Sequence, residues 1–243
     1  ESPMPNHGTP VLRSAYQPLA YTVSTVDLDF SLDPQATLVT SRLRCLRNED
    51  VPAGPIVLFG DALELVSLTI DGAAPAAGQV RETDSGLEID VLADELTLEI
   101  VTRINPSANL TLSGLYQSCG GYYTQCEAEG FRRITYFPDR PDVMARFTVR
   151  LEADAATCPV LLSNGNLLET GELPGGRHFA RWGRLIFRRS SVVSTRCRAA
   201  RCCCRCGSRR AIWIAPGTRW IRWCIRCAGT RRCLVSSWTW TVS

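Results

Sequence analysis

The chain has 243 residues, 45% of them hydrophobic, and its 27 arginines stand against 24 acidic residues with no lysine. This composition is ordinary for a soluble globular protein of one or two domains. No apolar run reaches the roughly 20 residues that a bilayer-spanning helix needs, so no membrane partner is predicted.

The first predicted elements are two strands joined by a tight turn. From residue 26 to residue 32 every second side chain is apolar, the period that is typical of a half-buried strand. Residues 37–47 partly repeat this alternation, and Asp33-Pro34 between the two stretches is a turn signal. The pair is therefore predicted to be an antiparallel hairpin.

The same pattern recurs along the chain. Residues 63–70 end at Asp71-Gly72, a dipeptide suited to the positive φ of a tight hairpin turn. A short helical turn is predicted near residues 139–144, where Arg140-Pro141-Asp142 resembles a helix start. Further strands are predicted at residues 87–91, 96–104, 147–151, 159–163 and 178–182, with another turn at 163–166.

Short strands at this spacing, without helical periodicity, predict an all-β fold. We expect an antiparallel β-sandwich or saddle over residues 16–182, preceded by a flexible N-terminus at residues 1–15. The N-terminus shows no signal peptide, which predicts a cytoplasmic protein. The four cysteines of this region are then expected to be reduced and mostly buried: Cys45, Cys119, Cys126 and Cys158.

Residues 183–243 have a different composition. They contain 14 arginines and no acidic residue, a formal charge of +14, whereas residues 1–182 carry a formal charge of −11. Eight of the 12 cysteines and five of the six tryptophans also lie in residues 183–243. This segment is either a separate functional tail or a chain that no longer follows its intended reading frame, and we expect it to be irregular or disordered.

Two functional interpretations of this tail are weaker. The first is a zinc or redox site, suggested by Cys202, Cys203, Cys204 and Cys206 and by the C-x-x-C pair beyond them. Three adjacent cysteines, however, fit one tetrahedral ion poorly. Arginine interleaved with tryptophan has the composition of a nucleic-acid-binding arm. We predict neither a metal in this chain nor a specific nucleic-acid partner.

Other candidate residues have simple structural explanations. Gly120-Gly121 leads into two tyrosines and not into a helix, so it does not form a phosphate loop. A charged cluster is better explained by ion pairs and turn capping at a sheet edge than by catalysis; it contains Arg132, Arg133, Asp139, Arg140 and Asp142.

One stretch is far more specific. Residues 124–147 read TQCEAEGFRRITYFPDRPDVMARF, and matching segments keep the same order at residues 25–43, 96–106, 112–118 and 159–166. These segments resemble the N-terminal domain of the bacterial aminopeptidase N family of zinc metallopeptidases. The resemblance runs from about residue 16 to Trp182 and stops there.

The resemblance implies both a binding loop and a missing metal site. In that family, two histidines of an H-E-x-x-H motif and a downstream glutamate hold the zinc. This sequence contains His7 and His178 and neither H-E-x-x-H nor the family's G-A-M-E-N motif. We therefore expect no cofactor and no peptide hydrolysis. By the same resemblance, Glu127 pairs with the α-ammonium of a peptide substrate and Gln125 shapes the pocket for the first side chain.

The tail can be interpreted as a frameshift product. If residues 237–243 are moved back by one base, plausible codons for SWTWTVS give E-L-D-L-D-R-F, which again resembles the family. Leucine codons CTG become TGC in the shifted frame, which accounts for the run of three cysteines. The point of the frame change within residues 183–210 stays open.

The sequence thus predicts a truncated metallo-aminopeptidase of the aminopeptidase N type, inactive alone, whose intact family acts on peptide N-termini. Two alternatives remain. The chain is an autonomous β-sandwich module that binds a peptide or protein, or an adaptor that binds nucleic acid or metal through its tail.

Overall fold

The computed structural model describes residues 16–187 and 194–196, with side chains over residues 16–183. The expected flexible N-terminus at 1–15, His7 and most of the tail, including its cysteines and tryptophans, lie outside the described residues. Within the described part, no helix is long and apolar enough to cross a membrane.

The described residues form strands and two short 3-10 helices, Phe131–Arg133 and Pro174–Gly176. The strands are β1 (Tyr21–Ser31), β2 (Thr37–Arg47), β3 (Ile56–Phe59), β4 (Glu64–Ile70), β5 (Val80–Thr83), β6 (Gly86–Ile89), β7 (Glu95–Ile104), β8 (Gly114–Ser118), β9 (Gly121–Gln125), β10 (Ala145–Asp154), β11 (Val160–Leu162), β12 (Asn166–Leu173), β13 (Arg177–Phe187) and β14 (Ser194–Arg196). The all-β prediction is confirmed.

Three sheets contain these strands. The seven-stranded sheet has the order β12-β13-β10-β1-β2-β7-β4, the second sheet β11-β14-β9-β8, and the third β3-β6-β5. Strands β1 and β10 run parallel, with Leu28 opposite Val149, whereas the other described strand pairs are antiparallel. The parallel pair joins segments more than 100 residues apart, so no turn signal could indicate it.

The predicted β1–β2 hairpin is confirmed. The strands pair antiparallel from Tyr21 opposite Arg47 to Ser31 opposite Leu38. The Asp33 carboxylate accepts hydrogen bonds from the backbone N–H groups of Gln35 and Ala36 at 2.8 and 2.9 Å, which fixes the connecting turn.

The predicted turn at Asp71-Gly72 is also present. Asp71 and Gly72 have φ of 50° and 79°, and Ile70 and Ala73 exchange two backbone hydrogen bonds of 2.9 Å each. The turn does not continue into a hairpin, because β4 pairs with β7. The Asp71 carboxylate accepts a 2.7 Å bond from the backbone N–H of Thr97 and ties the turn to β7.

The short turn predicted near residues 139–144 is present, as one hydrogen-bonded turn that does not extend into a helix. Its hydrogen bond runs from the N–H of Val143 to the carbonyl oxygen of Arg140 at 3.2 Å. The chain returns to extended structure at Ala145, where β10 begins, so the segment has room for one turn only. A separate 3-10 helix, Phe131–Arg133, lies just upstream and is not predicted.

The two faces of the seven-stranded sheet differ in polarity. Val26, Leu28 and Phe30 of β1 are at most 1% exposed and join the hydrophobic core. The opposite face carries a row of ion pairs across five strands: Arg177–Glu152, Glu152–Arg150, Arg150–Asp29, Asp29–Arg42 and Arg42–Glu99. One face of the sheet is therefore packed and the other is solvated.

The expectation of an irregular tail from residue 183 differs from the structure at two short stretches. Strand β13 continues to Phe187, and Ser194–Arg196 forms β14 beside β11 and β9. The physical reason is that a sheet edge offers backbone donors and acceptors, which an extended segment can pair with whatever its side chains are.

Candidate functional site

The candidate loop is the segment 126–130, which comes directly after β9. Strands β8 and β9 form a hairpin closed by Cys119 and Gly120, whose φ values are 49° and 76°. The rings of Tyr116 and Tyr123 stack across the hairpin with centroids 6.0 Å apart. Gly121 thus begins a strand and not a helix, and the paired hairpin holds the start of the loop.

The candidate loop turns back on itself within five residues. Its first and last residues, Cys126 and Gly130, are buried, and the N–H of Gly130 donates to the carbonyl oxygen of Cys126 at 2.9 Å. A Cβ on Gly130 would lie 2.3 Å from the carbonyl oxygen of Gln125, so only glycine fits without a shift of the backbone. The residues between them, Glu127 to Glu129, are exposed.

The two predicted binding residues lie side by side. The amide Nε2 of Gln125 donates a 3.0 Å hydrogen bond to the backbone carbonyl oxygen of Glu127. Both side chains are exposed, so the Glu127 carboxylate is open to a cationic ligand. The structure thus brings together the two residues that the resemblance singled out; their role in binding remains a prediction.

An ion pair between Arg132 and the buried Asp139 fixes the segment that follows the loop. Asp139 is 0% exposed, and its Oδ2 accepts hydrogen bonds from both Nε and the backbone N–H of Arg132, at 3.1 and 3.2 Å. The guanidinium of Arg132 also donates to the carbonyl oxygen of Asp139 at 3.1 Å and lies 4.7 Å from the centre of the Phe59 ring. These contacts fix the 3-10 helix at the end of the loop.

The rest of the charged cluster is paired too. Arg133 forms an ion pair with Asp61, and Arg140 donates to both carboxylate oxygens of Asp142 at 3.0 and 2.7 Å. The ion-pair interpretation of this cluster is confirmed. Sequence reasoning did not find Asp61, because it lies 72 residues from its partner and no local pattern links the two.

Asp142 also shows how these pairs affect ionisation. Burial raises the pKa of this carboxyl group, but hydrogen bonds from Arg140 and from the hydroxyl of Tyr16, 2.9 Å away, outweigh it. The net pKa of Asp142 is below its usual value. The group is thus held as an anion that anchors the segment before β1.

The described residues do not fit a catalytic zinc ion. Such an ion needs about three protein ligands and an open position, and the part of the chain with described side chains contains no group of three His, Cys, Asp or Glu residues able to hold a metal. Its one histidine, His178, already has a ring nitrogen 2.7 Å from the carbonyl oxygen of Cys158.

The structure also contains an open groove of about 790 Å³ along β11, β12 and β13. Leu161, Leu167, Phe179 and Trp182 contribute to its lining, as does His178. None of the lining residues belongs to the candidate loop, so this groove does not enlarge the candidate site.

Known proteins with similar sequences and structures share one domain with this chain. Residues 80–190 match the Peptidase M1 N-terminal domain. The chain is 48% identical over 167 residues to "Aminopeptidase N" of Caulobacter vibrioides and 45% identical over 170 residues to that of Escherichia coli. These alignments cover 69% and 70% of this chain, and 19% of each relative.

Solved structures agree. Aminopeptidase A of Legionella pneumophila, in complex with aspartic acid, superimposes with a TM-score of 0.68 at 32% identity, over 75% of this chain and 22% of that one. An M1 zinc metallopeptidase from Deinococcus radiodurans has a TM-score of 0.58 at 18% identity, over 72% of this chain and 42% of that one, and shows the fold alone.

The similarity covers only part of each relative. This chain spans about one fifth of the length of the curated relatives it matches. The family match at residues 80–190 contains β5 to β13 and the candidate loop. The described domain is therefore similar to the Peptidase M1 N-terminal domain and to part of the bacterial aminopeptidases N.

Proposed function

We propose that residues 16–182 are the amine-recognising domain of a zinc aminopeptidase whose metal site is not encoded in this chain. The observation that carries the proposal is the exposed Glu127 carboxylate, presented next to Gln125 on a short, tightly turned loop. In a complete enzyme of this type the loop would meet the free α-ammonium of a peptide and restrict cleavage to its N-terminus.

The physical basis is the attraction between the Glu127 carboxylate and the positively charged α-ammonium group at the N-terminus of the peptide substrate. A hydrogen bond between a carboxylate and an ammonium group contributes about 1.5–3 kcal/mol when it is shielded from water. On an exposed loop the same contact contributes far less, because water screens it. Glu127 thus needs a second surface to close over it.

By itself the chain is proposed to be inactive. The sequence contains two histidines and no H-E-x-x-H motif, and no described cluster of side chains fits zinc. Purified chain, incubated with alanyl p-nitroanilide and added zinc, is expected to release no more p-nitroaniline than the buffer does. Turnover, together with one tightly held divalent ion per molecule, would contradict this part of the proposal.

The role of Glu127 is tested in a hybrid enzyme. Residues 16–182 replace the matching segment of the Caulobacter vibrioides aminopeptidase N, and KM and kcat are measured for an alanyl amide. Glu127→Gln in the hybrid is expected to raise KM about tenfold, since 1.4 kcal/mol corresponds to a factor of ten. Glu49→Gln, which makes the same charge change on an exposed loop elsewhere, is the control; equal KM values for the two variants would refute the role.

We also propose that residues 183–243 are out of frame and that the protein is cytoplasmic. The charge step between residues 1–182 and 183–243 supports the first proposal, and the burial of Cys45, Cys126 and Cys158 fits a reducing compartment. The coding DNA is the test of the frame change. G-A-M-E-N and H-E-x-x-H in the shifted frame downstream are expected; their absence would refute it.

A further inference from the structure

The candidate loop has an anchor at each end. At its start, β9 pairs with β8, so Gln125 lies opposite Gly114. At its end, the loop runs directly into the 3-10 helix Phe131–Arg133. The position of Glu127 therefore depends on how firmly that helix is held.

Arg132 holds this helix against the domain. Two of its donors reach Oδ2 of the buried Asp139, and a third reaches the carbonyl oxygen of Asp139. The carbonyl oxygen of Arg132 accepts a further 2.9 Å bond from the N–H of Asp61. Because the Asp139 carboxylate is fully buried and the Arg132 side chain is only 21% exposed, the pair is sensitive to geometry: without Arg132, Asp139 would be a buried uncompensated charge.

The guanidinium of Arg132 also contacts a residue of the loop. Its Nη2, which bonds the Asp139 carbonyl oxygen, lies 3.4 Å from Oε1 of Glu129. Glu129 is two residues from Glu127, on the exposed part of the loop. Asp139, Arg132 and Glu129 thus form one chain of contacts from the buried interior to the loop.

We propose that Arg132 is a positioning residue, which ties Glu129 to the buried Asp139 and so fixes the backbone that presents Glu127. The proposal rests on the proposed function of Glu127 and adds the residue that makes its position reproducible. Arginine suits this task and lysine does not, because only a planar guanidinium offers several donors in a fixed fork while its face packs on an aromatic ring.

The test uses the full chain and measures amide hydrogen exchange residue by residue. Glu129→Gln cuts the bridge at its exposed end, where it does not threaten folding, and Arg132→Lys keeps the charge but removes the fork. Exchange at the N–H of Gly130 is expected to be at least about fivefold faster in both variants. Arg133→Gln, in the same 3-10 helix but paired with Asp61, and Glu49→Gln are expected to leave that rate unchanged.

The same substitutions in the hybrid enzyme separate positioning from general stability. Glu129→Gln is expected to raise KM about threefold to tenfold with kcat changed less than about twofold, and Glu49→Gln to change neither. If Glu129→Gln and Arg132→Lys leave both Gly130 exchange and KM unchanged while Glu127→Gln raises KM, the positioning role is wrong and the proposed function stands. If Glu127→Gln itself leaves KM unchanged, the proposed function is wrong, and the exchange rates alone decide whether the bridge holds the loop.

Discussion

The guanidinium of Arg132 and the carboxylate of Asp139 meet at 3.1 Å, with the aspartate completely removed from solvent. The two residues are seven positions apart, and the pair ties the 3-10 helix Phe131–Arg133 to the segment that follows Phe137, which itself forms a β-bridge with Phe59. It joins the candidate loop to the hydrophobic core, so its loss affects stability as well as the loop.

Replacing Asp139 is expected to destabilise the domain strongly. Asp139→Asn leaves the Arg132 charge without its buried counter-ion, with only the exposed carboxylate of Glu129 nearby, which costs about 3 kcal/mol. Urea unfolding followed by circular dichroism measures the change in the free energy of unfolding. Asp94→Asn, at a carboxylate that is 83% exposed in its ion pair with Arg47, is the control and is expected to change stability by less than about 0.5 kcal/mol. Equal effects at the two sites would contradict the buried-pair argument.

The ionisation of Glu152 is expected to make the stability of the domain depend on pH. Burial raises the pKa of Glu152, but hydrogen bonds from Arg177 and Arg150 outweigh it, so the net pKa is below its usual value. A lowered pKa in the folded state means that the contribution is present above the unfolded-state pKa and is lost as the pH falls through the folded-state pKa. Glu152→Gln is therefore expected to cost about 1 kcal/mol near pH 6 and clearly less near pH 3.

Unfolding of the Glu152→Gln and unaltered chains at several pH values checks this. Glu49→Gln is the matched control, because it removes the same charge on the exposed loop after β2, away from the row of ion pairs on the sheet. A Glu152→Gln penalty that is the same at both ends of the pH range would show that the ion pairs with Arg177 and Arg150 do not carry the effect.

The thiols of the domain are expected to differ in reactivity. Burial raises the pKa of Cys45 to about 12, whereas Cys119 lies exposed at the tip of the β8–β9 hairpin. At pH 8 the folded Cys45 is therefore a thiolate in only about one molecule in ten thousand. Brief alkylation with iodoacetamide, followed by peptide mass spectrometry, should label Cys119 and spare Cys45, and both should be labelled in urea. Labelling of folded Cys45 as fast as Cys119 would contradict its burial.

Replacing Gly130 or Gly72 by alanine is expected to lower the stability of the domain, for a different reason in each case. Gly130 has an ordinary φ of −87°, but an added Cβ would lie 2.3 Å from a backbone oxygen, so Gly130→Ala must move the loop and is expected to cost about 2 kcal/mol. Gly72 has φ of 79° and nothing within 4 Å of an added Cβ, so Gly72→Ala is expected to cost about 1 kcal/mol through backbone strain alone.

Thermal or urea unfolding measures both costs, and hydrogen exchange at loop 126–130 separates them. Gly130→Ala should speed exchange there, and Gly72→Ala should not. Gly54→Ala is the control, because its added Cβ would meet the Cβ of Ala20 at an ordinary 3.5 Å. A Gly130→Ala variant as stable as Gly54→Ala would show that the loop has more room than the structure indicates.

Local signals account for the elements that are predicted correctly. The alternation from Val26 to Leu32 and the Asp33-Pro34 turn predict the β1–β2 hairpin, and the Asp71-Gly72 dipeptide predicts its turn, because period and turn chemistry depend on neighbours in sequence. Strands β3, β5, β8, β9 and β12 are not predicted. Several are short or flanked by glycine, and β12 is largely exposed on both faces, so none shows a clear period of two.

The candidate site, too, is predicted only in part from the sequence. The motif at residues 124–147 identifies Gln125 and Glu127, but nothing in their spacing shows that Gln125 donates to the Glu127 carbonyl oxygen. Glu129 and Arg132 are three residues apart, a spacing at which side chains can meet, yet only the buried position of Asp139 explains why the arginine is fixed there.

The sequence by itself determined the all-β class, the family resemblance of residues 16–182, the absence of an H-E-x-x-H motif and the charge step after Trp182, since each of these depends on residue types and their local order. Only the tertiary structure decided that β10 pairs in parallel with β1, that Arg133 contacts Asp61, and that Asp139 is buried and paired with Arg132. The first two contacts join residues that are far apart in the chain, and the burial of Asp139 depends on the residues packed around it. All three arise because the sheets bury a common apolar core. That packing brings together charged residues whose spacing in the sequence does not indicate a contact.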